Sequence, residues 1–241
     1  MSTKLIAFTG HIGSGKTESA AMLTNLLLKR GFSVSKTHFA WPLKKMAKEY
    51  YDIDKNGPIT GKYTDDESGF EKAHNQLMNQ LAGDDMQLKE KLMKLITYKM
   101  PYTWYLQNNG RRILQWLGTD VVRKLVDKDY WVNKMLDILN SISKNLDYII
   151  IDDLRFSNEA LALRDFDNIE HTNKYFIHVS RPMENICKTM NMNLKEYQKM
   201  IAFEKEIDDI PDLLPSLKVT NDFGNIKQLY NYWKSFYETF L

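Results

Sequence analysis

Short apolar runs recur along the chain, and each is followed within two residues by a glycine, a proline or a polar pair. The strongest run is Asp147–Asp153, in which three consecutive isoleucines precede two carboxylates. Runs of about four to eight residues that are rich in β-branched and aromatic side chains are typical of buried strands. The pattern predicts strands at Lys4–Thr9, Phe32–Ala40, Asp147–Asp153, Tyr175–Ser180 and Leu217–Thr220.

Segments with helical spacing of apolar residues lie between these runs. Thr17–Arg30 is the clearest, because Ala20, Leu23 and Leu27 give it an apolar side and Gly31 supplies a stop. Alternating strands and helices favour a parallel sheet with helices on both faces, which is an α/β fold. We expect a single domain over residues 1–241, with 54–110 as a helical insertion. Further helices are predicted at Leu43–Tyr51, Arg111–Val126 with a break near Gly118, Tyr130–Ile142, Glu159–Arg164, part of Met183–Glu206, and Asn225–Phe240.

A glycine-rich loop, Gly10–Thr17, connects the first predicted strand to the first predicted helix and reads GHIGSGKT. It matches the phosphate-binding pattern G-x-x-x-x-G-K-[ST], in which glycines let backbone N–H groups approach phosphate oxygens. The helix N-terminus and the lysine add positive charge, and the threonine hydroxyl can ligate Mg²⁺. The loop predicts ATP and Mg²⁺ as ligands, whereas His11 is interpreted as a variable loop position. The predicted ATP-binding residues are Gly10, Gly13, Ser14, Gly15, Lys16 and Thr17.

Carboxylates and arginines follow the later strands. Asp152 and Asp153 end the strongest strand, from which a carboxylate can hold Mg²⁺ directly or through water, so we predict a magnesium site with Thr17. Arg155 and Arg181 each follow a strand and are predicted, together with Lys16, to act on the transferred phosphoryl group. Arginine suits phosphate because its planar fork bonds two oxygens at once. The alternatives are plain turn-forming aspartates and solvated arginines.

Composition narrows the class of partner. The 241-residue chain carries a net charge of +2 and shows no concentrated basic stripe, so we expect no nucleic-acid polymer as partner. A single cysteine, Cys187, excludes an internal disulfide. No apolar stretch approaches the roughly 20 residues that cross a bilayer, so we expect no membrane partner and a cytoplasmic location.

Four segments together resemble the deoxynucleoside monophosphate kinases of tailed bacteriophages, within the P-loop nucleotide kinase group. Besides the glycine-rich loop they are FAWPLK at 39–44, RRILQ with LGTD and YWV between 111 and 132, and DLRF with NE between 153 and 159. HVSRP at 178–182 and TND at 220–222 extend the match. The order and spacing of these segments carry the resemblance, which is weak between about residues 54 and 110.

This resemblance implies a nucleoside monophosphate kinase fold with ATP and Mg²⁺ at the loop, in the host bacterial cytoplasm if the protein is encoded by a phage. It implies an adenine pocket near Asn221, a closing lid over 183–212 and a homodimer. The polar and helical segment 54–110 is itself interpreted as an elaboration of the acceptor side. The lid contains no arginine, so Lys188, Lys195 or Lys205, or Arg181 from the strand end, would supply its charge. The predicted substrate-binding residues are Phe39, Lys44, Arg111, Arg112, Gln115, Asp120 and Trp131, the last as a stacking partner for the base.

Two other functions fit the same loop. One is a P-loop kinase with another small acceptor, such as dephospho-coenzyme A or a nucleoside. The other is a P-loop ATPase that works in an assembly, which would hydrolyse ATP without an acceptor. Paired arginines at 111 and 112 favour a monophosphate acceptor, because two anionic groups must then be held near each other. The accepted bases stay open at this point.

Overall fold

The computed structural model describes residues 2–54, 57–58, 66–99, 102–108, 110–202, 204–214, 216–222 and 226–240. It divides into two compact units, the sheet unit (Met1–Phe39 with Leu136–Leu241) and the helical unit (Ala40–Met135). The predicted insertion 54–110 lies within the helical unit, which extends beyond it on both sides. No helix among the described residues is both long and apolar enough to cross a membrane.

Among the described residues, five strands form one parallel sheet: β1 Lys4–Thr9, β2 Val34–Thr37, β3 Tyr148–Leu154, β4 Lys174–Ser180 and β5 Ser216–Thr220. Their order across the sheet is β2-β3-β1-β4-β5. A predicted parallel α/β sheet is thus confirmed, with β1 in the centre. The helices are α1 Lys16–Lys29, α2 Ala40–Tyr51, α3 Glu67–Ala82, α4 Met86–Lys99, α5 Tyr102–Gln107, α6 Gly110–Gln115, a π-helix Trp116–Val126, α7 Tyr130–Ile142, α8 Ser157–Arg164, a 3₁₀ turn His171–Asn173, α9 Met183–Met190, α10 Leu194–Ile201, α11 Glu206–Leu213 and α12 Ile226–Phe240.

The core of the sheet unit forms where α1 and α12 cover the sheet. Ile6 and Phe8 of β1 join Leu23 of α1 and Trp233 of α12 in one buried cluster. The rings of Phe8 and Trp233 meet edge to face with centroids 5.4 Å apart. Leu5, which points to the opposite face of β1, is also fully buried. Both faces of the central strand are therefore covered, as the continuous apolar run predicts.

The helical unit has a core of its own, rich in aromatic side chains. Tyr51 lies at its centre, where its hydroxyl is 2.8 Å from Nδ1 of His74 and its carbonyl accepts the Tyr105 hydroxyl at 2.6 Å. These bonds satisfy polar groups that burial would otherwise penalise. Burial lowers the pKa of His74 to about 4, which keeps this imidazole neutral at physiological pH.

Several predicted element boundaries are wrong. The second strand ends at Thr37 rather than Ala40, because the chain turns at Phe39 and Ala40 already begins α2. Pro42 is therefore the third residue of that helix, still in the first turn, where the missing N–H breaks no helical bond. Met183–Glu206 divides into separate helices. The predicted start of the last helix, Asn225, lies outside the described residues.

All five strands of the sheet run in the same direction, so their carboxyl ends meet at one edge. The loops that leave this edge begin at Gly10 after β1, at Arg155 after β3, at Arg181 after β4 and at Asn221 after β5. Ligands of open parallel sheets bind outside the carboxyl ends of the strands. The sheet therefore brings the phosphate-binding loop and the predicted charged residues of this unit to one edge.

Candidate active site

The loop Gly10–Gly15, hereafter the P-loop, is shaped by glycines that no other residue could replace without strain. Gly10 has φ +142°, and a Cβ there would lie 2.1 Å from the Val179 carbonyl oxygen of β4. Gly15 has φ +94°, and a Cβ there would lie 2.2 Å from Nδ2 of Asn221. Both positions need a left-handed backbone and a close approach of neighbouring chain, which glycine alone permits.

Lys16 opens α1 with its side chain turned back over the P-loop. Its ammonium group donates to the carbonyl of His11 at 3.2 Å, and the residue is only 7% exposed. Burial, with a smaller contribution from Arg155, lowers the pKa of Lys16 to about 8, although Glu204, Asp153 and Asp152 oppose the shift. A lysine held in this way gains from an anionic partner, because the partner offsets the cost of burying its charge.

Asn221 braces the P-loop from the end of β5. Its side-chain amide donates to the Ser14 carbonyl at 2.9 Å, and its backbone N–H donates to the Ser180 carbonyl at 2.7 Å. The side chain is buried, so these bonds count toward stability. Asn221 thus has a structural role in the loop, and its predicted place in an adenine pocket stays a prediction.

The two predicted metal ligands near the end of β3 have different surroundings. Oδ2 of Asp152 lies 2.9 Å from the ammonium group of Lys36 on β2, and this aspartate is buried. Oδ1 of Asp153 accepts the backbone N–H of Phe39 at 2.6 Å. Asp152 is therefore engaged in an ion pair across two neighbouring strands, which favours a structural role. Asp153 lies one residue nearer the edge of the sheet and is the better-supported of the two as a magnesium ligand.

The guanidinium groups of Arg155 and Arg181, the predicted catalytic arginines, make long and weak contacts. Nη1 of Arg155 lies 3.7 Å from Oε1 of Glu204, and Nη2 of Arg181 donates to the Thr189 hydroxyl at 3.2 Å. The backbone at Arg155 is held more firmly, because the buried carboxylate of Glu159 accepts its N–H at 3.0 Å and that of Phe156 at 3.2 Å. The loop after β3 is therefore fixed while the guanidinium group remains half exposed.

Glu204 and His11 are site residues that the sequence analysis did not assign a role. Oε2 of Glu204 accepts the backbone N–H of Ile12 in the P-loop at 2.9 Å and lies 3.5 Å from Nδ1 of His11. The second distance is too long for a good hydrogen bond, so that interaction is electrostatic. Nε2 of His11 lies 2.8 Å from Oδ1 of Asp208. Nothing in a polar stretch such as FEKEIDD indicates which carboxylate reaches the P-loop.

His11, Glu204 and their charged neighbours shift one another's pKa values. The Glu204 carboxylate raises the pKa of His11, with Asp208 adding to it against a smaller opposing effect of burial. Burial alone would favour protonated Glu204, but His11, the Ile12 amide, Arg155 and Lys16 together hold its pKa below the ordinary value. Glu204 is therefore an anion surrounded by the positive groups of the P-loop edge.

The predicted substrate-binding residues divide between the units. Phe39, in the sheet unit, has a buried side chain, and its N–H meets Asp153. The helical unit contains the others, of which Lys44, Arg111, Arg112, Gln115 and Asp120 are all exposed. Asp120 pairs with Lys124 one turn further along the π-helix, Oδ1 to Nζ 2.6 Å. Each of these remains a prediction as an acceptor contact.

Trp131 is buried, whereas a side chain that stacks on a ligand needs an exposed ring face. It is 4% exposed, lies in the core of the helical unit, and donates its indole N–H to the Gly118 carbonyl at 3.0 Å. A buried tryptophan with its N–H satisfied is typical of a core residue. Its position favours packing of α7 against the π-helix, and stacking on a base stays a prediction.

Two solved structures are similar to the chain over nearly their whole length. TT1252 from Thermus thermophilus is 13% identical with a TM-score of 0.47, and 100% of each chain is covered. The dephospho-CoA kinase from Campylobacter jejuni is 10% identical with a TM-score of 0.46, covering 98% of this chain and 96% of that one. No curated protein matches the sequence significantly.

A family model matches most of the sequence. It is described as deoxynucleotide monophosphate kinase and covers residues 4–193, which include the P-loop, both aspartates of β3 and the two arginines at 155 and 181. Since the match extends over well more than half of the chain, the chain belongs to the deoxynucleotide monophosphate kinase family, a family of nucleotide phosphotransferases.

Proposed function

We propose that the protein transfers the γ-phosphoryl group of ATP to deoxynucleoside 5′-monophosphates, giving ADP and deoxynucleoside diphosphates. The observation that carries this proposal is the position of Lys16. Its buried ammonium group lies over the P-loop, at the sheet edge where β3 ends with Asp153 and Leu154 and the next loop begins at Arg155. The family supplies the acceptor class.

The step needs little covalent help from the protein. An oxygen of the acceptor phosphate bonds to the γ-phosphorus of ATP while the bond from that phosphorus to the β,γ-bridging oxygen breaks, and ADP leaves with that oxygen. The acceptor is already anionic, so no strong base is required. Lys16 and Arg155 would neutralise charge on the transferred group, which is the main protein contribution to phosphoryl transfer.

Magnesium fits the residues at this edge. The described residues contain no group of three or more His, Cys, Asp or Glu side chains arranged to hold a metal ion. Mg²⁺ usually takes one or two protein oxygens and completes its shell with substrate phosphates and water, so a large protein cluster is not expected. The Thr17 hydroxyl and the Asp153 carboxylate are suitable hard oxygen ligands. When bound, the ion would offset the negative charge of the phosphates.

The test is an assay of ADP formation coupled to NADH oxidation, with ATP, Mg²⁺ and one acceptor at a time. The acceptors are dAMP, dGMP, dCMP, dTMP and their ribose forms, with dephospho-coenzyme A, nucleosides and no acceptor as separate arms. We expect ADP formation that depends on one or more deoxynucleoside monophosphates. ADP formation without acceptor would support an ATPase, and formation only with another acceptor would replace the proposed substrate. Light scattering on the same sample would test the predicted homodimer.

A further inference from the structure

The segment from α9 to α11 forms polar contacts with two consecutive residues of the P-loop, His11 and Ile12. The Tyr197 hydroxyl of α10 donates to the Ile12 carbonyl at 3.1 Å, and Glu204 accepts the Ile12 N–H at 2.9 Å. Asp208 of α11 reaches Nε2 of His11 at 2.8 Å. We call these three contacts the clasp. Through them a segment predicted to be a lid is attached to the phosphate-binding loop itself.

The clasp brings negative charge to a site built for anions. The Glu204 side chain is only 9% exposed, and it faces a P-loop amide, the His11 ring and, at 3.7 Å, the guanidinium group of Arg155. Lys16 is near enough to lower the pKa of this carboxylate. A loop amide, a lysine and an arginine are the donors that the P-loop offers to a polyphosphate.

We propose that Glu204 is an internal ligand of the phosphate-binding groups, so that the polyphosphate of ATP must displace it and thereby release α10 and α11 from the P-loop. Two anions cannot share one set of cationic donors without strong repulsion, because charges interact strongly in a partly desolvated site. The carboxylate therefore lowers the fraction of protein that is ready to bind nucleotide, and the apparent dissociation constant rises in proportion.

This assignment also accounts for a property of the segment's sequence. A lid that closes on a transferring phosphate usually brings positive charge, but residues 184–212 contain no arginine. Among the described residues of this segment, the side chains that form polar contacts with the P-loop are a tyrosine and two carboxylates. The carboxylates are attracted to the positive groups of the P-loop when no phosphate is bound, and they would be repelled by a bound phosphate.

The proposal rests on the proposed function only in that the P-loop binds ATP, and its test uses no acceptor. Dissociation constants for MgATP and for inorganic tripolyphosphate would be measured by calorimetry on the full chain and on Glu204→Gln, which keeps the shape and removes the charge. Glu184→Gln is the matched control, because Glu184 is an exposed acid on α9 of the same segment. Asp208→Asn is a second variant. Because Asp208 is exposed, this substitution should not impair folding even if Glu204→Gln does.

We expect Glu204→Gln to bind both ligands at least about fivefold more tightly, Asp208→Asn to shift in the same direction by less, and Glu184→Gln to match the parent. Without nucleotide, backbone hydrogen exchange over α10 and α11 should be faster in Glu204→Gln than in the parent. In the parent, the same exchange should be faster with ATP than without it. Unchanged or weaker binding in the folded variants would overturn the proposal. A lack of turnover with every monophosphate would refute the proposed acceptor and leave these binding results interpretable.

Discussion

The two compact units hold their predicted site residues in different ways. In the sheet unit, the side chains of Lys16, Asp153 and Asn221 are bonded to backbone groups. Arg155 lies 3.7 Å from Glu204, and its own backbone is fixed by the buried carboxylate of Glu159. In the helical unit, Arg111 and Arg112 stand on the exposed surface of a short helix. Every nucleotide presents the same phosphate groups, so the hydrogen-bond donors for phosphate can be positioned before the ligand binds. Residues that read an acceptor can remain at the surface until it binds.

The difference between the units makes Lys16→Ala the most damaging single change. It removes the buried positive charge that lies over the P-loop, and we expect kcat/KM for ATP to fall by roughly 10³-fold. Steady-state kinetics with Lys29→Ala as control would measure this, because Lys29 is an exposed lysine at the other end of α1. Equal loss in both variants would show that the effect is not specific to the loop.

Arg155→Ala should reduce kcat by roughly 10²-fold and change the dissociation constant of ATP far less. The reason is that its guanidinium group is held only loosely at Glu204 and would bond most strongly to charge that develops during transfer. Arg164→Ala is a suitable control, since Arg164 is an exposed arginine paired with its neighbour Asp165. A defect confined to ATP binding would remove Arg155 from the transition state.

The double variant Arg111→Ala, Arg112→Ala tests the predicted role of the helical unit in acceptor binding. We expect KM for the acceptor to rise roughly tenfold while the dissociation constant of ATP stays unchanged, because an exposed arginine pair contributes binding rather than chemistry. Kinetics with the acceptor varied would test it against Lys72→Ala, an exposed cation on α3 of the same unit. Unchanged acceptor KM would exclude both arginines from acceptor binding.

Trp131→Phe separates packing from stacking. Loss of the indole bond to Gly118 should cost about 1 kcal/mol of unfolding free energy, measured by urea denaturation. If Trp131 serves only the core, acceptor KM should stay within about twofold of the parent value. A large rise in acceptor KM with unchanged stability would support the predicted stacking.

The smallest expected effect is a pH dependence of the clasp through His11. The raised pKa means that the clasp is favoured below the ordinary value of 6.5 and weakens as pH rises through the raised pKa. Glu204 and Asp208 face this ring, and His178 on β4 also interacts with it but has a pKa lowered chiefly by burial. The ratio of ATP affinities, parent over His11→Asn, should therefore increase a few-fold as pH rises. A ratio independent of pH would contradict this role, and taking the ratio cancels the titration of ATP itself.

Much of the sheet unit was predictable because its information is local. The strand predicted at Leu217–Thr220 differs from β5 only in lacking Ser216, and the P-loop follows from a motif of eight consecutive residues, Gly10–Thr17. Apolar runs identify buried strands without knowledge of their neighbours, and parallel topology then brings their ends together. The α/β fold and the position of the phosphate site were therefore accessible from sequence.

The missed features depend on contacts between distant residues. Glu204 meets Ile12 across 192 positions, and nothing distinguishes it from the other acids of its segment. Trp131 lies in the core of the helical unit. An aromatic residue beside polar ones can serve either surface or core, so the sequence does not reveal this burial, and stacking on a base stays a prediction. The π-helix was expected as an ordinary helix with a break, since helical spacing alone does not reveal an added residue per turn.

The brace formed by Asn221 has a consequence for how the protein comes to bind nucleotide during synthesis. The phosphate-binding motif is translated near the start of the chain, but the amide that supports its Ser14 carbonyl is translated 207 residues later. β5, which positions that amide, must also pair with β4 before the loop is complete. Forming such a distant contact is slow compared with local structure. A ribosome-bound chain that lacks β5 thus carries the whole motif without its support, and competence for nucleotide arrives with the last strand.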